Sequence, residues 1–232
     1  MKSNIYGYQK GTARIVGILY IIGTAAGILS VPFLTVTNAQ EPLAKIAEHP
    51  NSLVTGAVLE LVMGFALALI PAFMFPILKK HSEAAGVGYI IFRGALETCT
   101  YMISAVCFLA LSLLGAAYES GGDTAQLLSA GAALKAITDS SVTAFVFGTG
   151  ALIFYTALYK YKLIPRWLSC FGIIAILLHI ASGALVLFGL QKNFDPGSLM
   201  MNLPIAVQEM ILAVWLIIKG FRCEDKSAAV TA

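Results

Sequence analysis

One stretch of this sequence combines charge with high hydrophobicity: Tyr89-Ile90-Ile91-Phe92-Arg93-Gly94-Ala95-Leu96-Glu97-Thr98. It lies inside an apolar run from about residue 86 to about residue 116, longer than the roughly 20 apolar residues that a bilayer-spanning helix needs. Arg93 and Glu97 are four residues apart and would lie on one face of that helix. A charge inside a bilayer costs about 2.5–3.5 kcal/mol on insertion scales, so each side chain needs a partner or a water-filled cavity. The stretch therefore predicts a transmembrane helix with a buried polar face.

The composition of the whole chain indicates a membrane protein. Of the 232 residues, 59% are hydrophobic and 12% are charged, and the mean hydropathy is +0.85. Soluble domains have about 25% charged residues. The lipid bilayer is thus the expected partner, and residues 1–232 are expected to form a single domain. No basic run alternates with aromatic residues, so no nucleic-acid partner is expected.

Six apolar runs are long enough to be membrane spans, and we number them spans 1 to 6: about residues 14–36, 53–78, 86–116, 137–159, 166–190 and 199–218. They predict an all-α fold, a polytopic transmembrane bundle of six helices. Residues 118–135 are predicted as an outer, partly helical segment, and residues 219–232 as a mobile cytoplasmic tail. The first run follows a basic start, as in a signal peptide, but it is longer than the 7–15 apolar residues of such peptides.

The Lys and Arg residues divide unequally between the two sides of such a bundle. One side receives Lys45, Lys135 and Lys192, while Arg93 lies within span 3. The other side receives eleven: Lys2, Lys10, Arg14, Lys79, Lys80, Lys160, Lys162, Arg166, Lys219, Arg222 and Lys226. By the positive-inside rule, this asymmetry predicts a multi-pass protein of the cell membrane with both termini in the cytoplasm.

Some residue types are given structural roles. The four cysteines are interpreted as small buried hydrophobic residues, without a disulfide framework: Cys99, Cys107, Cys170 and Cys223. The tyrosines near the span ends and Trp215 are interpreted as anchors at the membrane interface. Gly23 and Gly27 lie four residues apart in span 1, a spacing typical of a close contact between helices.

Three stretches resemble a known family: Ala13-Arg14-Ile15-Val16-Gly17-Ile18-Leu19-Tyr20, Lys162-Leu163-Ile164-Pro165-Arg166-Trp167-Leu168-Ser169 and Asn202-Leu203-Pro204-Ile205-Ala206-Val207-Gln208-Glu209-Met210. They are similar to the bacterial integral-membrane family known as domain of unknown function 4386, and the second and third stretches are the specific ones. The resemblance extends over nearly the whole chain, and the Arg93 and Glu97 pair also resembles the family's third helix. It implies a multi-pass membrane fold and, because the family has no assigned activity, no catalytic residues.

The polar residues within the spans divide into two groups by depth. At 1.5 Å per residue from the cytoplasmic end, Arg93 is about 10 Å deep, Glu209 about 14 Å, Glu97 about 17 Å and His179 about 20 Å. Glu60 and Asp139 are about 27 and 30 Å deep, near the outer edge of a hydrocarbon layer of about 30 Å. The sequence therefore predicts a midplane site for a solute or proton and, separately, an outer vestibule. The midplane candidates are Arg93, Glu97, Glu209, His179 and Gln208, and the vestibule candidates are Glu60 and Asp139.

Each candidate also has a structural interpretation. The three midplane charges could be an ion-pair network that fixes helix register, with one acid protonated because burial disfavours a charge. His179 could hydrogen-bond a neighbouring helix, and Gln208 could bridge helices. Asp139, with the two serines that follow it, could cap the start of span 4.

The pattern favours a small membrane carrier or permeation protein. Glu97 and Glu209 would bind a proton or a small cationic or polar solute, with Arg93 as counter-ion. One alternative is an intramembrane enzyme acting on a lipid or isoprenoid, with the two acids and His179 in acid–base or metal roles. Another is a non-catalytic membrane subunit or sensor.

Enzyme activity stays open, although the sequence favours a protein that is not an enzyme. The chain has no His-Glu-x-x-His, no Gly-x-Ser-x-Gly and no Gly-rich phosphate loop. A metal site of Glu97, Glu209 and His179 is possible by ligand type, but it lacks a second histidine or a paired Glu-x-x-His. No metal or other cofactor is therefore predicted, and the sequence leaves the oligomeric state undetermined.

Overall fold

The computed structural model describes residues 2–222, and within that range the side chains of residues 10–222. Its regular elements are all helical: α1 (Lys2–Leu34), a 3₁₀ turn (Thr35–Asn38), α2 (Pro42–Glu48), α3 (Pro50–Leu78), α4 (Glu83–Tyr89), a π-helical segment (Ile90–Leu96), α5 (Glu97–Glu119), α6 (Thr124–Thr138), α7 (Val142–Lys160), α8 (Arg166–Leu187) and α9 (Pro196–Ile218). The predicted tail lies outside the described residues from residue 223 onward.

Six helical stretches are long and apolar enough to cross a membrane, which confirms the predicted number of spans. Span 1 is α1, span 2 is α3, and span 3 is the continuous helix of α4, the π-helical segment and α5. Spans 4, 5 and 6 are α7, α8 and α9. Ser141 has a left-handed φ of 54°, which separates α6 from α7 within the fourth stretch, Thr124–Lys160, and we assign span 4 to α7.

The six spans form a closed ring. Each span packs against the next one in sequence, and span 6 returns to pack against span 1. Glycines allow the close approaches: Gly23 and Gly27 of α1 face α3, as their spacing predicts, and a Cβ on Gly23 would lie 2.6 Å from the Leu67 side chain. At the seam between α1 and α9, a Cβ on Gly17 would lie 2.7 Å from the Ala213 carbonyl oxygen. The interior of this ring is where residues from non-neighbouring spans can meet.

Connections on one side of the ring contact one another, and we call this side the basic face. The His81 ring, after span 2, stacks on the Tyr161 ring, after span 4, with 4.8 Å between centroids. The backbone N–H of Arg222, after span 6, donates to the Leu163 carbonyl at 2.8 Å. The turns on this face carry Lys79, Lys80, Lys160, Lys162, Arg166, Lys219 and Arg222.

A second set of contacts defines the opposite face. The Lys135 ammonium donates to Asn38 Oδ1 at 2.9 Å, and Asn38 Nδ2 donates to the Asn193 carbonyl at 2.7 Å, so three connections meet there. Asp139 also lies on this face, where it accepts from Lys135 Nζ at 2.7 Å. Asp139 ends α6 and does not cap span 4, so the capping interpretation is wrong; the left-handed Ser141 begins that span instead.

The cysteines do not share one environment. Cys107 is buried, as expected, but Cys99 and Cys170 are exposed, so the interpretation of all the cysteines as buried residues is wrong for these two. In a bundle of apolar spans, the outer surface is itself apolar, and a small hydrophobic side chain is tolerated there. Cys223 lies outside the described residues.

Candidate functional site

Three charged side chains form one buried cluster inside the ring, and we call Arg93, Glu97 and Glu209 the triad. Arg93 Nη1 donates to Glu97 Oε1 at 3.0 Å and to Glu97 Oε2 at 3.1 Å, while Nη2 donates to Glu209 Oε1 at 2.9 Å. The exposed fractions of the three residues are 2%, 0% and 7%. The structure thus joins charges of spans 3 and 6 that the sequence placed at similar depths.

Each triad carboxylate also accepts a hydrogen bond from a hydroxyl group. Thr24 Oγ1 of span 1 donates to Glu209 Oε2 at 3.0 Å, and the Tyr101 hydroxyl donates to Glu97 Oε1 at 3.0 Å. Hydrogen bonds to a charged acceptor are about twice as strong as neutral ones. The cluster therefore ties span 1 to spans 3 and 6, across the seam where the ring closes.

Aromatic rings enclose the Arg93 guanidinium. Its Cζ lies 4.3 Å from the Phe147 ring centroid and 5.9 Å from that of Tyr20. The Tyr20 and Tyr89 hydroxyls are 3.2 Å apart, and the Tyr89 ring stacks on Phe154 at 4.5 Å. Both tyrosines are buried, so the interpretation of tyrosines near span ends as interface anchors is wrong for Tyr89. Cation–π contacts reach about 2 kcal/mol when desolvated, so these rings help hold the charge.

Gln208 bridges helices, which is one of the two interpretations that the sequence allowed. Its Oε1 accepts from the Tyr155 hydroxyl of span 4 at 2.6 Å, and its Nε2 donates to the Leu168 carbonyl of span 5 at 3.3 Å. It is fully buried next to Glu209 in sequence, but its side chain bonds away from the triad. Its hydrogen bonds join spans 4, 5 and 6.

His179 is not brought to the two carboxylates. Its Nδ1 is 2.8 Å from Asn202 Oδ1, and its ring packs edge-on against Phe147 with centroids 5.0 Å apart. Within the described part of the chain, no three His, Cys, Asp or Glu side chains form a group that could hold a metal ion. The sequence gives the depth of His179 along its helix but not the direction in which the side chain points. Span 5 is rotated so that the His179 ring faces Asn202.

Glu60 and Asp139, the vestibule candidates, have different surroundings. Glu60 is buried on α3 beside Ser104 of α5, and its Oε2 has no hydrogen-bond partner among the described residues. Asp139 is part of the Lys135 cluster on the opposite face.

The segment that contains Arg93 is π-helical, which the sequence does not predict. The Glu97 N–H donates to the Phe92 carbonyl, five residues earlier, instead of the carbonyl four residues earlier. Single π turns inside α-helices occur frequently at functional sites. Here the π turn places Arg93 at the ring interior while the flanking α4 and α5 keep their own packing faces.

Gly150 of α7 allows the π-helical segment to pack closely. A Cβ at this position would lie 3.1 Å from the Arg93 backbone nitrogen and 3.1 Å from Phe92 Cβ. We expect Gly150→Leu to lower the free energy of unfolding by about 1–3 kcal/mol, because backbone atoms cannot move aside for the added side chain. Unfolding by SDS titration in mixed micelles measures this. Gly11→Leu is the control, since a Cβ on Gly11 meets nothing within 4 Å; equal losses in both variants would contradict the role of Gly150.

Several residues of the site were missed at the sequence level. Tyr89 and Tyr101 lie four residues before Arg93 and four residues after Glu97, so this face of span 3 could have been recognised by its four-residue spacing. Thr24 lies between Gly23 and Gly27 on a helix assigned only a packing role. Phe147 carries no signal beyond hydrophobicity, because its role depends on the position of α7 against the π-helical segment.

These features define the class of protein: a polytopic helical bundle with six spans around a buried charge cluster. Residues 15–220 match the family model described as Domain of unknown function (DUF4386), and the chain belongs to this family. No curated protein and no solved structure matches the chain significantly. The family assignment agrees with the resemblance found in the sequence, and it supplies no activity.

Proposed function

We propose that this chain is a small membrane carrier in which the triad holds an exchangeable proton. The observation that carries the proposal is a charge imbalance in a buried site. Two carboxylates share one guanidinium, and Arg93 is the only basic residue paired with either of them within residues 10–222. When both acids are ionised, the triad has one negative charge in excess. A proton bound to either carboxylate neutralises it, which burial favours.

Proton binding at Glu209 has a structural consequence. This carboxylate contacts Arg93 of span 3 and Thr24 of span 1, so it lies on the seam between the first and last spans. Protonation weakens its attraction to Arg93 and loosens that seam. A carrier needs such a link between the charge of its site and the packing of its helices, because a ligand shifts a conformational equilibrium only through contacts that differ between the two states.

The orientation in the membrane is part of the proposal. The basic face carries seven Lys and Arg residues in its turns (Lys79, Lys80, Lys160, Lys162, Arg166, Lys219 and Arg222), whereas the opposite face carries Lys45, Lys135 and Lys192. We therefore assign the basic face to the cytoplasm.

The enzyme alternative receives less support from the geometry. Acid–base or metal chemistry with Glu97, Glu209 and His179 requires the three side chains at one centre, and they form no such group in the described chain. His179 is instead occupied by Asn202. The alternative of a non-catalytic subunit makes the same triad purely structural, and the variants described in the Discussion separate it from a carrier.

The test is proton flux into liposomes that contain the purified protein and a pH-sensitive dye. Glu97→Gln and Glu209→Gln each keep the size of the side chain but remove the exchangeable proton. We expect each to lower the flux by about 100-fold, the lower end of the range for a positioned proton-transfer group. Glu83→Gln is the control, because Glu83 pairs with Lys79 in the solvent-exposed turn of the basic face. Wild-type flux in both triad variants would refute the carrier.

A further inference from the structure

Glu60 is a second buried acid, and the triad does not account for it. It lies on α3, about 91% buried, and none of the ion pairs among the described residues includes it. Its Oε2 is buried without a hydrogen-bond partner in that part of the chain. A carboxylate with an unpaired oxygen in such a place is costly, so Glu60 points to a function rather than to a contribution to stability.

A stripe of polar side chains on α5 connects the neighbourhood of Glu60 with the triad. Tyr101 donates to Glu97 at 3.0 Å, and Ser104 lies on the next turn of the same face, beside Glu60. The α3 backbone packs closely against this stripe at Gly64, where an added Cβ would lie 3.2 Å from Tyr101 Cβ. Gly64 is one helical turn from Glu60, so Glu60 lies about one turn of α3 from the contact with Tyr101, whose hydroxyl group reaches Glu97.

The position of Glu60 along α3 lies between the triad and the opposite face. Span 2 begins at Pro50 on that face, where the Ser112 hydroxyl donates to the Pro50 carbonyl at 3.1 Å. Glu60 is therefore about 15 Å from the start of the helix, and the Gly64 to Tyr101 contact is about 6 Å farther in. A proton that enters from the opposite face meets Glu60 before it meets Glu97.

We propose that Glu60 is a relay carboxylate through which the triad exchanges protons with the opposite face. The proposal rests on the proton-binding function of the triad and extends it by a second station. A proton from the aqueous phase binds Glu60 Oε2. It then moves through the Ser104 hydroxyl, water and the Tyr101 hydroxyl, each of which accepts one proton and releases another, and it ends on Glu97 Oε1. No bond other than O–H bonds is made or broken.

Liposome flux tests the relay. Glu60→Gln is expected to lower proton flux by about 100-fold, as for a positioned proton-transfer group, while Glu60→Asp retains most of it. Ser104→Ala is expected to slow the flux, whereas Thr149→Val is the control. Thr149 is an exposed residue of α7 whose hydroxyl donates to the Phe145 carbonyl of the same helix. Wild-type flux in Glu60→Gln would overturn the relay.

Infrared spectroscopy separates failure of the relay from failure of the carrier. The C=O stretch of the protonated triad carboxyl, assigned by its loss in Glu97→Gln or Glu209→Gln, shifts when deuterium from the solvent replaces the proton. We expect this exchange to be slower in Glu60→Gln than in the wild type. If exchange is slower in Glu60→Gln but the wild-type protein conducts no protons, the relay is kept and the carrier is refuted. Unchanged exchange together with flux that is lost only in the triad variants would keep the carrier and refute the relay.

Discussion

Replacement of Arg93 by methionine is expected to lower the free energy of unfolding by about 3–5 kcal/mol, the usual loss when one partner of a buried ion pair is removed. Methionine fills the space of the arginine stem but leaves Glu97 and Glu209 next to each other without a counter-charge. SDS titration in mixed micelles, followed by circular dichroism, measures the change. Wild-type stability in Arg93→Met would mean that the two acids are not held together by this guanidinium.

A triple variant separates the structural role of the triad from its functional role. Arg93→Met with Glu97→Leu and Glu209→Leu removes every charge of the cluster and leaves apolar side chains of similar volume. We expect its stability to return to the wild-type value or to exceed it, because well-packed apolar residues often replace buried ion pairs at no cost. Proton flux in liposomes then decides between the two roles. A folded triple variant without flux supports a carrier, whereas a folded triple variant with wild-type flux assigns the triad a structural role only.

The sequence predicts the fold well because membrane spans depend on a property that is local. A run of about 20 apolar residues needs an intact helix wherever it lies, since no water is present to satisfy the backbone. The positions of the turns could be predicted as well, because charged residues interrupt the apolar runs. The outer segment of residues 118–135 was predicted to be partly helical, and α6 lies largely within it. The break at Ser141 was not predicted, because the left-handed conformation of one serine has no pattern in the residues before it.

The site was predictable only to the extent that it depends on helical spacing and depth. Arg93 and Glu97 pair because they lie four residues apart, and Glu209 lies at a similar depth. His179 also has a suitable depth, yet span 5 is rotated so that the ring meets Asn202. Helix rotation within a bundle is set by packing with the neighbouring helices, so a single sequence did not fix it.

The π-helical segment was not predicted from the sequence, yet it contains Arg93, the central residue of the proposed proton site. Its residues, Ile90–Leu96, contain no proline, and Gly94 is an ordinary small residue facing Pro71, with 3.7 Å between an added Cβ and the proline ring. The extra residue of a π turn changes the rotation between the two halves of span 3. With this rotation, Tyr89 before it and Glu97 after it are both buried in the ring interior.

Deletion of Ile91 tests this geometry. Ile91 is 46% exposed, so its side chain contributes little to the packing. Without it, the segment can form ordinary α-helical hydrogen bonds, but Tyr89 is then three residues before Arg93 instead of four, so α4 must rotate relative to α5 by up to about 100°, the angle of one residue in an α-helix. Tyr89 would leave its stacking contact with Phe154. We expect a loss of about 3–5 kcal/mol in the free energy of unfolding, as for loss of a buried aromatic side chain.

Ile91→Ala is the matched control, since it removes most of the same side chain without shortening the helix. Its effect on stability should stay within about 0.5 kcal/mol, as for other exposed positions. Rotation has a consequence that simple destabilisation lacks: either Tyr89 or the Arg93 pair with Glu97 must move from its present position, because the deletion places Tyr89 three residues before Arg93 instead of four. Proton flux distinguishes the two cases in the folded fraction of the deletion variant. Flux that persists places the rotation in α4, whereas lost flux places it at the triad, and unchanged stability would show that the π turn is dispensable.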